Sequence, residues 1–233
     1  MEKYGTTREQ AAMVAVKNRF HASMNPYACF QKPITIDDVF NSRPIARNLN
    51  LLDCCPSCDG CSAVILASSE VAKKYTTKPV YVAASAQVSG TYKSDWPPFL
   101  SDVSRRSVKI AYEMAGIGPE DLDVAEIHDA FDINEIVDYE DLGFCGEGEG
   151  GPLVQSGATK LGGRLPVNTG GGLMSRGHPF GATGCAQIAE ITWQLKGQAG
   201  ARQVQGAKVG LTHTLGGAHQ GDMGNCYIHI FKR

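Results

Sequence analysis

Apolar and polar positions alternate along the chain in a way that predicts helices interspersed with strands. The predicted helices cover residues 6–20, 35–41, 68–74, 102–115, 131–142 and 185–196, and the predicted strands cover 62–67, 80–86, 124–128, 209–213 and 226–231. Thr6, followed three residues later by Glu9, predicts a capping box at the start of the first helix. Alternation of this kind indicates an α/β fold with a mostly central sheet.

The organisation along the chain is uneven. The first 75 residues hold too few alternating elements to close a sheet of their own, so we expect them to be the tail of a domain whose beginning is absent. A boundary is predicted at residues 76–79, and a loop rich in Asp, Trp and Pro is predicted after the 80–86 strand.

Composition excludes several classes of function. The 233 residues are 42% hydrophobic and 20% charged, with a formal net charge of −2, which gives no reason to expect nucleic acid or an anionic membrane surface as a partner. No run of about 18 apolar residues and no signal peptide is present, so a cytoplasmic location is the expectation. The 27 glycines, many of them between Gly143 and Gly224, indicate close approach of the backbone to a ligand or a partner strand.

The cysteines need a separate interpretation. Cys55, Cys58 and Cys61 have C-x2-C-x2-C spacing, with Cys54 adjacent, which is typical of iron–sulfur and zinc sites. The flanking segments, ARNLNLLD and SAVILAS, resemble buried strands, and this favours small buried thiols over a metal site. A disulfide framework is not expected without a secretory signal.

The segment NTGGGLMSRGHPFGATG, residues 168–184, carries the most specific chemistry. It places His178 where a glycine-rich loop becomes a helix, and the helix that follows has Ile188, Ile191 and Leu195 at helical spacing before Gly197. A helix N-terminus disfavours an imidazolium, so His178 is predicted to be neutral. A neutral imidazole there can stabilise an oxyanion or activate a nucleophile.

Two further histidines are predicted to converge with it. In the segment EIHDAF, residues 126–131, His128 ends a predicted strand and the chain then continues into a helix. His213 and the pair Gly216-Gly217 follow another predicted strand. A lone histidine at a strand end is more often a hydrogen-bonded structural residue than a catalyst. Three of them at the carboxyl ends of strands, where α/β sheets place ligands, favour a functional site.

These segments carry a resemblance. Over almost its whole length the chain resembles the thiolase superfamily, nearest to its sterol-carrier-protein-like branch. The segments that carry the resemblance are, in order, YGTTREQAAMVAVKNR, SRPIA, LLDCCPSCDG, EIHDAF, EDLGFCGEGEGG, NTGGGLMSRGHPFGATG and HTLGG. The resemblance implies an α/β thiolase fold: the C-terminal βαβαβαββ half at residues 77–233, preceded by a remnant of the loop domain and of the N-terminal half at 1–76.

The resemblance also implies roles for single residues. His178 would activate a nucleophilic cysteine and share one oxyanion hole, which His128 would help to hold through a water. The backbone of Leu215 and Gly216 would line a second oxyanion hole. Met174, Ser175 and Phe131 would be walls of the pantetheine channel.

Two departures from the family limit this transfer. The nucleophilic cysteine of the family lies upstream of the region with which this chain begins, and none of the eight cysteines here stands in its context. The acid/base cysteine is also missing, because Ala130 and His213 occupy the two places where family members carry it. His213 is therefore a hypothesis for the base at the substrate α-carbon, and the alternative is that it only packs and bonds to backbone.

Three hypotheses of function remain open from the sequence. The first is an acyl-CoA C-acyltransferase of the acetyl-CoA acetyltransferase type, with a coenzyme A thioester as substrate and no permanently bound cofactor or metal. The second is an aldolase that cleaves β-hydroxyacyl-CoA with an OB-fold or zinc-ribbon partner. The third is a non-catalytic half-domain that needs a partner chain. The resemblance further implies a homo-oligomer.

Overall fold

The computed structural model describes residues 1–91, 102–219 and 222–233. Its α-helices are α1 (Arg8–Ala22), α2 (Ile36–Asn41), α3 (Ser69–Ala72), α4 (Asp102–Ala115), α5 (Asp132–Asp141), α6 (Gly150–Gln155) and α7 (Thr183–Lys196). Its strands are β1 (Pro44–Ala46), β2 (Leu49–Asn50), β3 (Tyr81–Ser89), β4 (Val124–Glu126), β5 (Val209–His219) and β6 (Asp222–Lys232). The predicted Asp/Trp/Pro loop lies outside the described residues.

The main sheet has the strand order β3-β6-β5-β4 among the described residues. Strands β4 and β5 run parallel, whereas β6 is antiparallel to both β5 and β3. Val167 extends the β4 edge through one parallel bridge to Ala125. With this bridge counted as the third strand and the short α6 as part of the connection after α5, the order β3-α4-β4-α5-Val167-α7-β5-β6 follows the predicted βαβαβαββ succession, and the predicted α/β class is confirmed.

Helices cover both faces of this sheet because side chains alternate along β6. Ile228 and Ile230 belong to the larger core cluster, on the face that α4 covers. Phe231 points to the opposite face and packs in a smaller cluster with Ile191 and Leu195 of α7, both fully buried. The helical spacing predicted for α7 therefore places its apolar side chains against the sheet.

The N-terminal helix α1 belongs to the same core as the sheet. Its buried face joins the larger core cluster, which also contains the apolar residues of β3, β5 and β6. The predicted capping box exists one residue later than expected: the Thr7 hydroxyl accepts from the Gln10 N–H at 3.1 Å, and the Gln10 side chain accepts from the Thr7 N–H at 3.0 Å. Thr6 and Glu9 do not form it. The division at residues 76 and 77 stays a prediction.

Two predictions about the first 75 residues are wrong. Residues 62–67 form no strand, and Ile65 and Leu66 are 94% and 78% exposed. An extended apolar segment becomes a strand only where a neighbouring strand takes its hydrogen bonds, and no such neighbour pairs with it among the described residues. The preceding segment is not a buried strand either, because Leu51–Asp53 is a turn of 3-10 helix.

Elsewhere the differences concern lengths and short elements. Strand β5 continues six residues past the predicted end at His213, because its hairpin with β6 pairs residues up to His219 with Asp222. Helix α6 and a π-helical turn at Gly172–Arg176 were not predicted. In the described part of the chain, no helix combines the length and the apolar character needed to cross a membrane.

Candidate active site

His178 lies in the turn between the π-helical segment and α7, and its ring is oriented by Thr183. The Nδ1 atom of His178 lies 2.8 Å from the Thr183 hydroxyl, which in turn donates to the Pro179 carbonyl at 3.2 Å. With its one proton donated to the carbonyl, the hydroxyl accepts from Nδ1–H. This arrangement favours the His178 tautomer that carries the proton on Nδ1 and the lone pair on Nε2.

The protonation state of His178 agrees with the prediction, for a different reason. Helix α7 begins only at Thr183, so His178 does not cap it. Burial of the ring lowers the pKa of His178, and the positive charge of Arg176 lowers it further. His178 is therefore a neutral imidazole with one acceptor nitrogen free.

His128 stands edge-on to His178, with the two ring centroids 5.2 Å apart. Burial and the neighbouring His178 lower the pKa of His128 to about 3. Its Nδ1 atom is buried and has no hydrogen-bond partner in the part of the chain that the structure describes. A buried polar atom of this kind is costly unless something, such as an internal water, pairs with it.

The glycine-rich loop that carries His178 is held by Asp129, the residue after His128. The Asp129 carboxylate accepts the backbone N–H groups of Leu173 and Met174 at 2.7 and 3.3 Å, and an amide N–H of Asn18 at 2.8 Å. Gly172, with φ +60°, has no room for a side chain, because a Cβ there would overlap this carboxylate. The glycine content predicted close approach of the backbone to a ligand or a partner strand. At Gly172 the backbone instead approaches the internal carboxylate of Asp129.

Glu126 holds the far side of the same loop. It forms a buried ion pair with Arg176 at 2.7 Å and accepts the Gly170 N–H at 2.9 Å. Burial raises the pKa of Glu126, and the charge of Arg176 opposes that rise. Neither Asp129 nor Glu126 was identified from the sequence as part of the site; the only signal was their place in the EIHDAF segment.

His213 lies deeper than the other two histidines. Its side chain has no exposed surface, its Nε2 lies 3.0 Å from the Ser104 hydroxyl, and its Nδ1 faces the His128 backbone N–H at 3.5 Å and Asp138 at 3.6 Å. Burial, and then His128, lower its pKa to about 3. The structure brings His213 to the backbone of His128 and away from solvent.

The remaining predicted residues are placed differently from one another. Met174 and Ser175 are 3% and 1% exposed within the π-helical turn, whereas Phe131 is 37% exposed at the start of α5. Leu215 and Gly216 lie within β5, paired with residues of β6, and not in a loop after the strand. Of the predicted channel walls, Phe131 alone presents substantial surface.

The cysteine-rich segment crosses the site, which the sequence did not indicate. The backbone of Cys54 forms an isolated antiparallel β-bridge with Phe131, and the backbone of Ser57 forms a parallel one with His178. Between them, the Cys55 N–H donates to the Ala130 carbonyl at 2.9 Å. The segment therefore contacts both histidine-bearing loops. Burial, and then the charge of Asp129, raise the pKa of Cys55 to about 11, so this thiol stays protonated and is a poor nucleophile.

The thiols are less buried than predicted. Cys54, Cys55 and Cys58 are half-buried and Cys61 is exposed, because the apolar segments around them form no buried strands. Across residues 1–91, 102–219 and 222–233, no three His, Cys, Asp or Glu side chains are grouped so that they could hold a metal ion.

Comparisons with known proteins agree on the family. Residues 85–228 match the family model described as "Thiolase C-terminal domain-like". The chain is 49% identical to an acetyl-CoA acetyltransferase of Methanothermobacter thermautotrophicus over 100% of this chain and 60% of that protein. It is 47% identical to sterol carrier protein 2 of Oryctolagus cuniculus, over 93% of this chain and 41% of that protein. A solved structure, the Ltp2-ChsH2(DUF35) aldolase, matches with a TM-score of 0.84 and 30% identity over 100% of this chain and 60% of that one. The chain thus spans at most about three fifths of the length of these relatives.

Proposed function

The chain belongs to the thiolase family, and from this premise we propose that it supplies the histidine part of an acyl-CoA C-acyltransferase site. The substrate is a coenzyme A thioester, and no permanently bound cofactor takes part. The cysteine that carries the acyl group belongs to a part of the protein outside these 233 residues. The proposal rests on one observation above all, a neutral His178 whose contact with Thr183 favours a proton on Nδ1 and a free acceptor at Nε2.

That nitrogen can perform two successive tasks. As an acceptor, Nε2 takes the proton of the incoming cysteine thiol and so generates the thiolate that attacks the thioester carbonyl. The imidazolium formed then carries Nε2–H, which can donate to the oxyanion that develops on the carbonyl oxygen. Because burial and Arg176 lower the pKa of His178, the imidazolium readily returns its proton to the departing coenzyme A thiolate.

His128 completes this arrangement in the proposal. Its buried Nδ1, unpaired among the described residues, lies in the ring that faces His178, so it can hold an internal water that reaches the oxyanion. The complete burial of His213 and its position against the His128 backbone favour a positioning role over direct contact with the α-carbon. The exposed ring of Phe131 is proposed as a channel wall.

The experiment uses the longest natural form of the protein, incubated with acetyl-CoA and then mapped by peptide mass spectrometry. We expect one acetylated cysteine outside the 233 residues, and we expect His178→Ala to slow its formation by about 10²–10⁴-fold, the usual contribution of a general base. His229→Gln is the matched control, because His229 lies on β6 and bonds Ser85. Acylation at an unchanged rate in His178→Ala would contradict the proposal.

A second candidate, an aldolase acting on β-hydroxyacyl-CoA with a partner protein, is favoured by one comparison. The solved relative is by name an aldolase with a DUF35 component. Ala130 and His213 also stand where family members carry the acid/base cysteine. Retro-aldol cleavage needs a base for a hydroxyl but no acyl-cysteine. Cleavage of a β-hydroxyacyl-CoA without any acylated cysteine would favour this candidate over the first.

Both candidates need a segment or partner that covers the apolar surface of residues 62–67. Ile65 and Leu66 are almost fully exposed, and apolar surface of this kind is an interaction or aggregation site. We propose that residues 1–76 complete a domain together with chain outside these 233 residues, and that the whole protein forms a homo-oligomer. Expression of residues 1–233 alone tests this proposal, and a soluble, active monomer would contradict it.

A further inference from the structure

Two cysteines that are distant in sequence meet beside the residue before His178. A Cβ atom built on Gly177 would lie 2.7 Å from the Cys58 sulfur and 2.8 Å from the Cys29 sulfur. Both sulfur atoms therefore lie close to each other, around the same backbone position. The C-x2-C spacing would pair Cys58 with Cys55 or Cys61, but the tertiary structure pairs it with Cys29.

Both thiols are carried by segments that the backbone holds against the His178 loop. The Cys29 N–H donates to the Arg176 carbonyl at 3.0 Å. On the other side, Ser57 bridges to His178. The position of the two sulfurs around Gly177 therefore follows from main-chain contacts on each side of it.

The pair can be reached from solvent. Cys29 is exposed, and both thiols line a cavity of about 410 Å³ beside the stacked rings of Tyr27 and Trp193. A small oxidant such as a peroxide can therefore enter this cavity and reach the two thiols. Burial, followed by the neighbouring Cys58, raises the pKa of Cys29, so oxidation is expected to accelerate with rising pH as the thiolate forms.

We propose that Cys29 and Cys58 are a reversible oxidation site, at which a hydroperoxide joins them in a disulfide. One thiolate attacks the peroxide oxygen, which breaks the O–O bond, forms a sulfenic acid and releases water when the oxidant is hydrogen peroxide. The second thiolate then attacks the sulfenic sulfur, which forms the S–S bond and releases the hydroxyl as a second water. The two sulfurs lose two electrons, the peroxide gains them, and a dithiol reductant reverses the change.

The bond would fasten the cysteine-rich segment to the segment that contains Cys29, directly over Gly177. Closing this loop of the unfolded chain stabilises the folded state, so the oxidised protein should unfold at a higher temperature. The site itself stands on the thiol geometry and does not depend on the proposed function, so failure of one leaves the other testable.

The test treats the purified protein with hydrogen peroxide at mildly alkaline pH and maps the peptides without reduction. Trypsin, which cuts after Arg47, separates Cys29 from the cysteine-rich segment, and a protease that cuts before Asp59 separates Cys58 from Cys61. We expect a linked pair containing Cys29 and Cys58, with a mass two hydrogens below that of the free thiols. Dithiothreitol should restore both thiols and the lower unfolding temperature.

Three single variants keep the inference falsifiable. Cys29→Ser and Cys58→Ser should each abolish the linked pair, whereas Cys61→Ser, a change in the same cavity, should leave its yield unchanged. A link within the C-x2-C spacing, a link between molecules, or no link in the correctly folded wild-type protein would overturn the proposal. The wild-type map decides the outcome even where a variant fails to fold.

Discussion

Thr183→Val should remove the control that the structure exerts over the His178 tautomer. The substitution deletes the hydroxyl that accepts Nδ1–H at 2.8 Å. The Pro179 carbonyl stays paired, because it also accepts the backbone N–H groups of Ala182 at 2.8 Å and of Thr183 at 3.0 Å. The unpaired group created by the change is therefore the Nδ1–H of His178.

The size of the effect follows from the surroundings of that group. A buried donor without a partner costs about 1–3 kcal/mol, and the half-buried His178 ring belongs at the lower end of that range. About 1 kcal/mol changes a tautomer ratio roughly fivefold, since 1.4 kcal/mol corresponds to about tenfold. The ratio of the Nδ1–H to the Nε2–H tautomer therefore falls about fivefold, and the fraction of His178 able to accept a thiol proton falls by no more than that factor.

Nitrogen-15 NMR of the histidine rings at neutral pH measures this directly. In the wild type we expect a protonated Nδ1 and an unprotonated Nε2 for His178, and in Thr183→Val a clear shift toward the other tautomer. The acylation rate of the longest natural form should fall in parallel with the measured Nδ1–H fraction, by up to about fivefold.

Thr212→Val is the matched control for this experiment. Thr212 is 1% exposed, as is Thr183, but its hydroxyl has no hydrogen-bond partner within residues 1–91, 102–219 and 222–233. Loss of that hydroxyl should leave the His178 tautomer and the acylation rate unchanged. An unaltered tautomer in Thr183→Val, or an equal shift in Thr212→Val, would refute the reasoning.

Three further predictions concern stability, each measured by urea unfolding. Glu126→Ala breaks a buried ion pair and should cost about 3–5 kcal/mol, whereas Glu147→Ala breaks an exposed pair and should change the midpoint far less; equal effects would contradict the burial argument. Gly177→Ala should cost about 1–3 kcal/mol, because φ is +114° there and the new Cβ would lie within 2.8 Å of two thiol sulfurs; a neutral result would show that the loop relaxes easily. Burial, and then the hydrogen bond and charge of Asp53, raise the pKa of Asp132 from 3.8 to about 8. The folded state therefore binds this proton more tightly than the unfolded chain, and the stability present below about pH 4 is lost as the pH rises to about 8. Asp132→Asn should flatten that decline, and an unchanged slope would assign it to other groups.

Much of the fold could be predicted because its signals are local. The apolar spacing of α7 and the boundaries of α4 are found as predicted, since helical hydrogen bonds lie within one segment. The capping box of α1 was predicted one residue early, because Thr6 and Thr7 offer equivalent caps and only packing decides between them. The strand at residues 62–67 could not be judged locally, since a strand depends on a neighbour elsewhere in the chain.

The site divides in the same way. From the sequence alone, three histidines at strand ends and a glycine-rich loop indicated where the chemistry lies and to which family the chain belongs, because family motifs are contiguous in sequence. Only the tertiary structure decided what each histidine can do: Thr183 orients His178, His128 keeps an unpaired nitrogen, and His213 is buried away from solvent. It also decided that Cys58 meets Cys29 and not its neighbours in the C-x2-C spacing. Tautomers, burial and thiol pairing depend on contacts between residues far apart in the chain, and such contacts exist only once the chain has folded.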